Sequence, residues 1–171
     1  KFTKETTIMS AASNYLEDKL LDHTLRGTAG AYTAPSTVYV ALFASGGDNT
    51  ALTNALETGT SSTSGTGNWG YYEINNGGYA RQAVSFGAAG TAGGYTTGTI
   101  KNNATVSFDP ASADYDTAGS TGNVVTHIAI MDDSSGASTE CLYYGLLSTS
   151  KTVSSGDQFT ISNGNLAISL A

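Results

Sequence analysis

Apolar and polar positions along most of this chain alternate with a period of two, which is the signature of β-strands. In "STVYVALFAS", Val38, Val40 and Leu42 fall on one side and Tyr39, Ala41 and Phe43 on the other. Both sides are apolar, so this segment predicts a strand covered on both faces. "YARQAVSF" sets Ala80, Gln82, Val84 and Phe86 against Tyr79, Arg81, Ala83 and Ser85. "NATVSFDP", "NVVTHIAIMDD" and "ECLYYGLLS" continue the pattern. "DQFTISNGNLAISLA" reads as two strands about a turn at Asn163-Gly164, a local hairpin signal.

One segment has a different period. In "SNYLEDKLLDHTLRG", Leu16, Leu20, Leu21 and Leu25 recur at helical spacing. Asn14 can cap this helix, with Glu17 three residues on as a capping-box partner, and Gly27 stops it. Glu17 and Asp18 in the first turn and Arg26 in the last suit the helix dipole. The spacing predicts a helix over 14–26, amphipathic and therefore laid on something else.

Many short strands separated by turns, with no βαβ alternation, predict an all-β fold. The expected architecture is an antiparallel, jelly-roll-like β-sandwich with one N-terminal amphipathic α-helix. Residues 1–12 read as a tail or arm and 13–171 as one sandwich domain, interrupted by an insertion at 46–78. The insertion holds a helical turn at "ALTNALE", a "TGTSSTSGTGN" tract and "WGYYEINN". Residues 1–9 do not match the rest. Lys4-Glu5 can be encoded by a stretch resembling a ribosome-binding site, which makes Met9 a candidate start; an ordinary tail or edge strand is the alternative.

Composition narrows the possible functions. Charged residues make up 12% of the chain, about half the usual share. Ser, Thr, Asn and Gly supply the polarity instead. The net charge of −7 and the absence of a Lys/Arg cluster argue against nucleic acid as a partner. No apolar run approaches a membrane span, and no signal-peptide core is visible, so release of an exported protein by host lysis is the expected route. Cys141 is the only cysteine, which rules out an intrachain disulfide.

Candidate chemistry is sparse. His23 and His127 have no partner at metal-ligand spacing, and Cys141 has no activating base nearby in sequence, so it reads as a small buried hydrophobe. Asp109, Asp114 and Asp116 in "DPASADYD" are candidates for calcium, or for an acid-base pair in glycoside hydrolysis. Asp132 and Asp133 in "MDDSSG" suit a turn. Trp69, Tyr71 and Tyr72 can stack on sugar rings, as in a carbohydrate-binding module contacting a host glycan, or fold back onto the sandwich. Arg81 is one of only two arginines. A charge inside a strand needs a counterion, and Glu73, Asp132 and Asp133 are the candidates. A structural ion pair fixing strand register is expected, or a contact across a subunit interface. No catalytic residue, cofactor or metal site is assigned.

The blocks "SNYLEDKLLDHTLRGTA", "YTAPSTVYVALFAS", "GGYARQAVSF", "VTHIAIMDD" and "LYYGLLSTSKTVSSGDQFTISNGNLAISL" occur here in an order that resembles a family of small tailed-bacteriophage proteins. These are usually labelled tail fibre or virion structural proteins. The resemblance covers most of 13–45 and 77–171, and the 46–78 insertion is larger than it leads one to expect. It implies a non-enzymatic virion subunit, made in the host cytoplasm and forming a homo-oligomer with other virion proteins. A tail-fibre-type subunit and a capsid-decoration subunit both fit that implication. Members of this kind start near the helix, which agrees with Met9.

Overall fold

The structure is a computed structural model describing residues 7–9, 11–26, 31–94, 97–136 and 138–170. The proposed helix stop at Gly27 and the Lys4-Glu5 segment lie outside these residues. The fold is all-β with sandwich-like sheets. Its main sheet has five antiparallel strands in the order β2 (Ala11–Ala12), β8 (Cys141–Thr152), β7 (Val124–Met131), β3 (Val38–Phe43), β4 (Gln82–Val84). A three-stranded sheet places β10 (Leu166–Ser169) between β1 (Thr7–Met9), which runs parallel to it, and β5 (Thr99–Lys101). A third pair joins β6 (Val106–Ser107) to β9 (Thr160–Ile161).

The registers β3–β7 and β7–β8 determine which side chains share a face. Ala41, Ala129 and Tyr144 line up across one side, as do Phe43, His127 and Leu146. Helix α2 (Asn49–Thr58) covers this side: Thr53 reaches His127 and Glu57 accepts a hydrogen bond from the Tyr144 hydroxyl. On the other side, Val40, Leu42, Ile128 and Ile130 are buried in one continuous cluster with Val106, Ile161, Leu166 and Ile168 of the smaller sheets and with Phe108 and Phe159 beside β6 and β9. Apolar residues on both faces of β3 and β7 therefore follow from a layer on each side.

Three expectations are corrected and one is extended. In the 46–78 segment the helical turn expected at "ALTNALE" is a helix of 10 residues. Asp48 caps α2 by accepting from the Ala51 amide at 2.9 Å, and Leu52, Ala55 and Leu56 turn into the core. The first helix, α1 (Asn14–Leu25), is capped by Ser13 rather than Asn14. Ser13 is still paired to β8 through its amide, at 3.0 Å from the Leu142 carbonyl, so the chain leaves the sheet there and its extended backbone meets the N-cap requirement. The stripe on α1 is only partly covered: Leu16 is buried, whereas Leu21 and Leu25 are 57% and 78% exposed.

The Asn163-Gly164 hairpin does not form either. The chain turns there, with Gly164 at φ 76°, but β9 pairs with β6 and β10 with β1 and β5. The turn keeps its closing bond, from the Asn165 amide to the Ser162 carbonyl at 3.1 Å, but beyond it fully buried Asn102 is inserted in place of strand pairing. Its amide donates to the Leu166 carbonyl at 3.0 Å, and its carbonyl accepts from the Gly164 amide at 2.9 Å. The side-chain oxygen accepts from the Leu166 amide at 2.9 Å, and the side-chain nitrogen donates to the Ala104 and Ser162 carbonyls.

Candidate functional site

Arg81 lies immediately before β4, not inside it. Glu73 forms an isolated bridge to Phe43 at the end of β3, and the turn at residues 76–78 returns the chain so that Tyr79 and Arg81 face Glu73. The Arg81 Nε donates to Glu73 Oε1 at 2.6 Å and Nη2 donates to Oε2 at 2.7 Å, a bidentate pair. Both side chains are largely buried, at 7% and 13% exposed. Nη1 donates to the Asp133 carbonyl at 3.0 Å, which ties the β7–β8 turn to the same group. The Tyr79 hydroxyl donates to Glu73 Oε1 and accepts from the Leu42 amide, both at 3.0 Å. The guanidinium also lies 5.2 Å from the centre of the Trp69 ring.

Electrostatics follow from this packing. Burial alone would lower the Arg81 pKa, but the hydrogen bonds and charge of Glu73 more than offset it, and the guanidinium stays charged. Burial, reinforced by Glu73, holds the Tyr79 phenol well above its usual range, so it remains a donor. Above the pair lies a cleft of about 360 Å³ between the insertion loop at Ser61 and Thr63 and the turn at 134–136.

The aromatic residues of the insertion are turned inward. Trp69 is 1% and Tyr72 3% exposed; Trp69 packs edge-on against Phe43, and Tyr71 is half-buried against Tyr72. This leaves no open face of Trp69 or Tyr72 for a sugar ring: of the two arrangements the sequence allowed, these residues adopt the one folded back onto the core. The local sequence folds this way because a 3₁₀ turn at Trp69–Tyr71 begins at Asn68, whose side chain is held by Thr60 and the Ser64 carbonyl.

The candidate acids do not converge. Asp114 accepts from the Ser155 amide at 2.8 Å, and Asp116 from the Thr117 and Gly122 amides. Asp109 is exposed. Among the described residues, no group of three His, Cys, Asp or Glu is placed to hold a metal ion. Asp132 accepts from the Glu140 amide at 2.7 Å and closes the β7–β8 turn. His23 accepts from the Tyr32 amide at 3.1 Å. Cys141 is buried, and that burial pushes its thiol far above the usual range, so it is not a nucleophile.

His127 has a role the sequence did not reveal. It is 2% exposed and sits between Thr126 and Thr53 of α2. Thr126 Oγ1 accepts from the Ser45 amide and is hydrogen-bonded to His127 Nδ1 at 3.0 Å. Nε2 faces Thr53 Oγ1 at 3.4 Å, and a neutral ring donates through one nitrogen and accepts through the other. Burial holds the ring neutral, with its pKa pulled down to about 4. The only cue in the sequence was a histidine in an otherwise apolar strand.

The protein-family model described as "Podophage GP4 fiber I protein gp80" matches residues 11–169. The chain belongs to this family. The match takes in the main sheet, both helices and the whole insertion, so the 46–78 segment lies inside the family's span. This is a family of phage fibre proteins, and membership makes the chain a virion structural protein. No curated protein matches the chain. Among the described residues, no helix is long and apolar enough to cross a membrane.

Proposed function

We propose that this chain is a non-enzymatic tail-fibre subunit that assembles with copies of itself and with other virion proteins. The observation that carries this reading is the fibre-family match, which runs through nearly the whole chain. The chemistry of the side chains is consistent with it. Arg81 and Glu73 neutralise each other, His127 is held neutral between two threonines, Cys141 is buried as a thiol, and Asp114 and Asp116 bind backbone amides. Each of these groups holds the fold together. The exposed Leu21 and Leu25 of α1 offer an apolar surface for assembly. Synthesis in the host cytoplasm and release by lysis belong to the same reading.

Immunogold labelling of purified particles tests the location. Label at the tail is expected; label spread over the head would make the chain a capsid-decoration subunit, and absence from particles would end the proposal. Light scattering after size exclusion tests self-association, and a lone monomer at high concentration would refute that part.

A further inference from the structure

We infer that Asn163 is a site of spontaneous modification: of the two Asn-Gly steps in the chain, Asn76-Gly77 and Asn163-Gly164, the fold protects the first and leaves the second to deamidate. The reaction uses only the chain and water. The glycine backbone nitrogen, on losing its proton, attacks the carbonyl carbon of the asparagine side chain. A C–N bond closes a succinimide ring, and the side-chain amino group leaves with a proton as ammonia. Water then opens the ring to aspartate or isoaspartate. Glycine favours the step because it has no side chain to shield its nitrogen. Three conditions must be met: a side chain free to swing back, a glycine N–H free to react, and room for the ring.

Asn76-Gly77 fails the first and the third. Both ends of the Asn76 amide are held by backbone groups: Oδ1 accepts from the Asp116 amide at 2.6 Å, and Nδ2 donates to the Asp114 carbonyl at 3.0 Å. Gly77 is wedged against the same segment. Its carbonyl accepts from the Ser112 amide at 2.9 Å, and a Cβ on it would stand 2.8 Å from the Ala113 carbonyl oxygen. Cyclisation there requires the turn at 76–78 to part from residues 112–116.

Asn163-Gly164 meets both of these conditions. Asn163 is exposed, and its side chain has no hydrogen-bond partner among the described residues. Beyond the adjacent residues, nothing lies within 4 Å of where a Gly164 Cβ would stand. The remaining condition rests on one contact, the Gly164 amide donating to the Asn102 carbonyl at 2.9 Å. Opening a single bond at an exposed turn is a local fluctuation, far easier than unfolding the chain. The product differs in charge and in backbone. Either acid adds a negative charge to a chain of net −7. In isoaspartate the main chain runs through the former side-chain carbon, which lengthens the turn closed by the Asn165 amide and the Ser162 carbonyl, directly before β10. The inference goes beyond the structural role proposed above and does not depend on where the subunit sits.

The folded chain is held in mildly alkaline buffer for several weeks beside a sample unfolded in urea. Trypsin cuts after Arg81 and Lys151 and so places the two steps in different peptides, and tandem mass spectrometry locates each amide that has become an acid. In urea both steps are expected to react at similar rates. In the folded chain Asn163 is expected to react about fivefold or more faster than Asn76, because its side chain has no hydrogen bonds to break first. Ion exchange of the intact protein is expected to resolve a growing acidic species that Asn163→Ser does not form. The proposal is overturned by equal folded-state rates at the two steps, which would mean reaction through global unfolding alone, or by Asn76 reacting faster. It is overturned equally by an Asn163 still intact when the unfolded sample has lost most of its own, or by an acidic species that forms as fast in Asn163→Ser.

Discussion

Replacing Glu73 by glutamine removes one negative charge and turns the acceptor that meets Arg81 Nη2 into a donor. The amide keeps an oxygen for the Tyr79 hydroxyl and has nearly the same volume. Arg81 is left 7% exposed, with its charge intact and its counterion gone. Removing one partner of a buried pair costs about 3–5 kcal/mol, because the remaining charge is no longer compensated. Both partners are far below a third exposed, so solvent screening reduces this little. For a protein of this size, 1 kcal/mol moves the melting temperature by about 2–4 °C, which gives a drop of about 6–20 °C. Thermal unfolding followed by circular dichroism, with urea titrations for free energies, measures it. The double variant Glu73→Leu/Arg81→Met removes both charges and is expected to recover much of the loss, since an apolar pair of similar volume replaces a buried ion pair at little cost. Two results would refute the reasoning: a Glu73→Gln loss below about 1 kcal/mol, the value for an exposed pair, or a double variant at least as unstable as the single one.

Further outcomes follow from other contacts. Asn102→Ala leaves the amide of fully buried Leu166 without its acceptor and is expected to cost about 1–3 kcal/mol in urea unfolding. Above pH 6.5, His127 is neutral whether the chain is folded or not. As the pH falls from 6.5 to about 4, the unfolded chain takes up the proton first, and stability drops by about 3 kcal/mol before levelling off; the difference between wild type and His127→Gln, measured at each pH, isolates this term from the carboxylates. Gly119→Ala would drive its methyl to 2.2 Å from the Tyr71 ring, so a changed near-ultraviolet spectrum and reduced stability are expected. Leu25→Ser, at a site 78% exposed, is expected to leave monomer stability within about 0.5 kcal/mol, and sedimentation then reports any effect on assembly.

Legibility from sequence tracked how local the determining forces are. Strands β3 and β7 could be read directly, because their side chains alternate and both faces are apolar. Helix α1 was legible from its leucine spacing, although the cap fell one residue earlier, where the last sheet contact ends. Helix α2 was visible only as a turn at "ALTNALE"; the Asp48 cap three residues before Ala51 was the signal to extend it. Asn163-Gly164 carries ordinary hairpin chemistry, but Asn102 comes from another part of the chain and offers the same backbone groups better partners. The sequence named three acids as possible partners for Arg81. The fold brings the Glu73 carboxylate to it, a choice made by the bridge between Glu73 and Phe43 that no local pattern encodes. The inward turn of Trp69 had no local signature either, since the same aromatic-glycine texture serves exposed and buried loops alike.

Strand β1 lies beside β10, nearly the whole chain away in sequence, and both run in the same direction. A ribosome delivers Thr7 before Leu166, so the small sheet cannot close until β10 has been made. Chains cut short before residue 166 lack the strand that carries buried Leu166 and Ile168 and cannot complete this sheet. A chain truncated between these strands is marked by a small sheet that lacks its central member, with β1 and β5 both left without their partner.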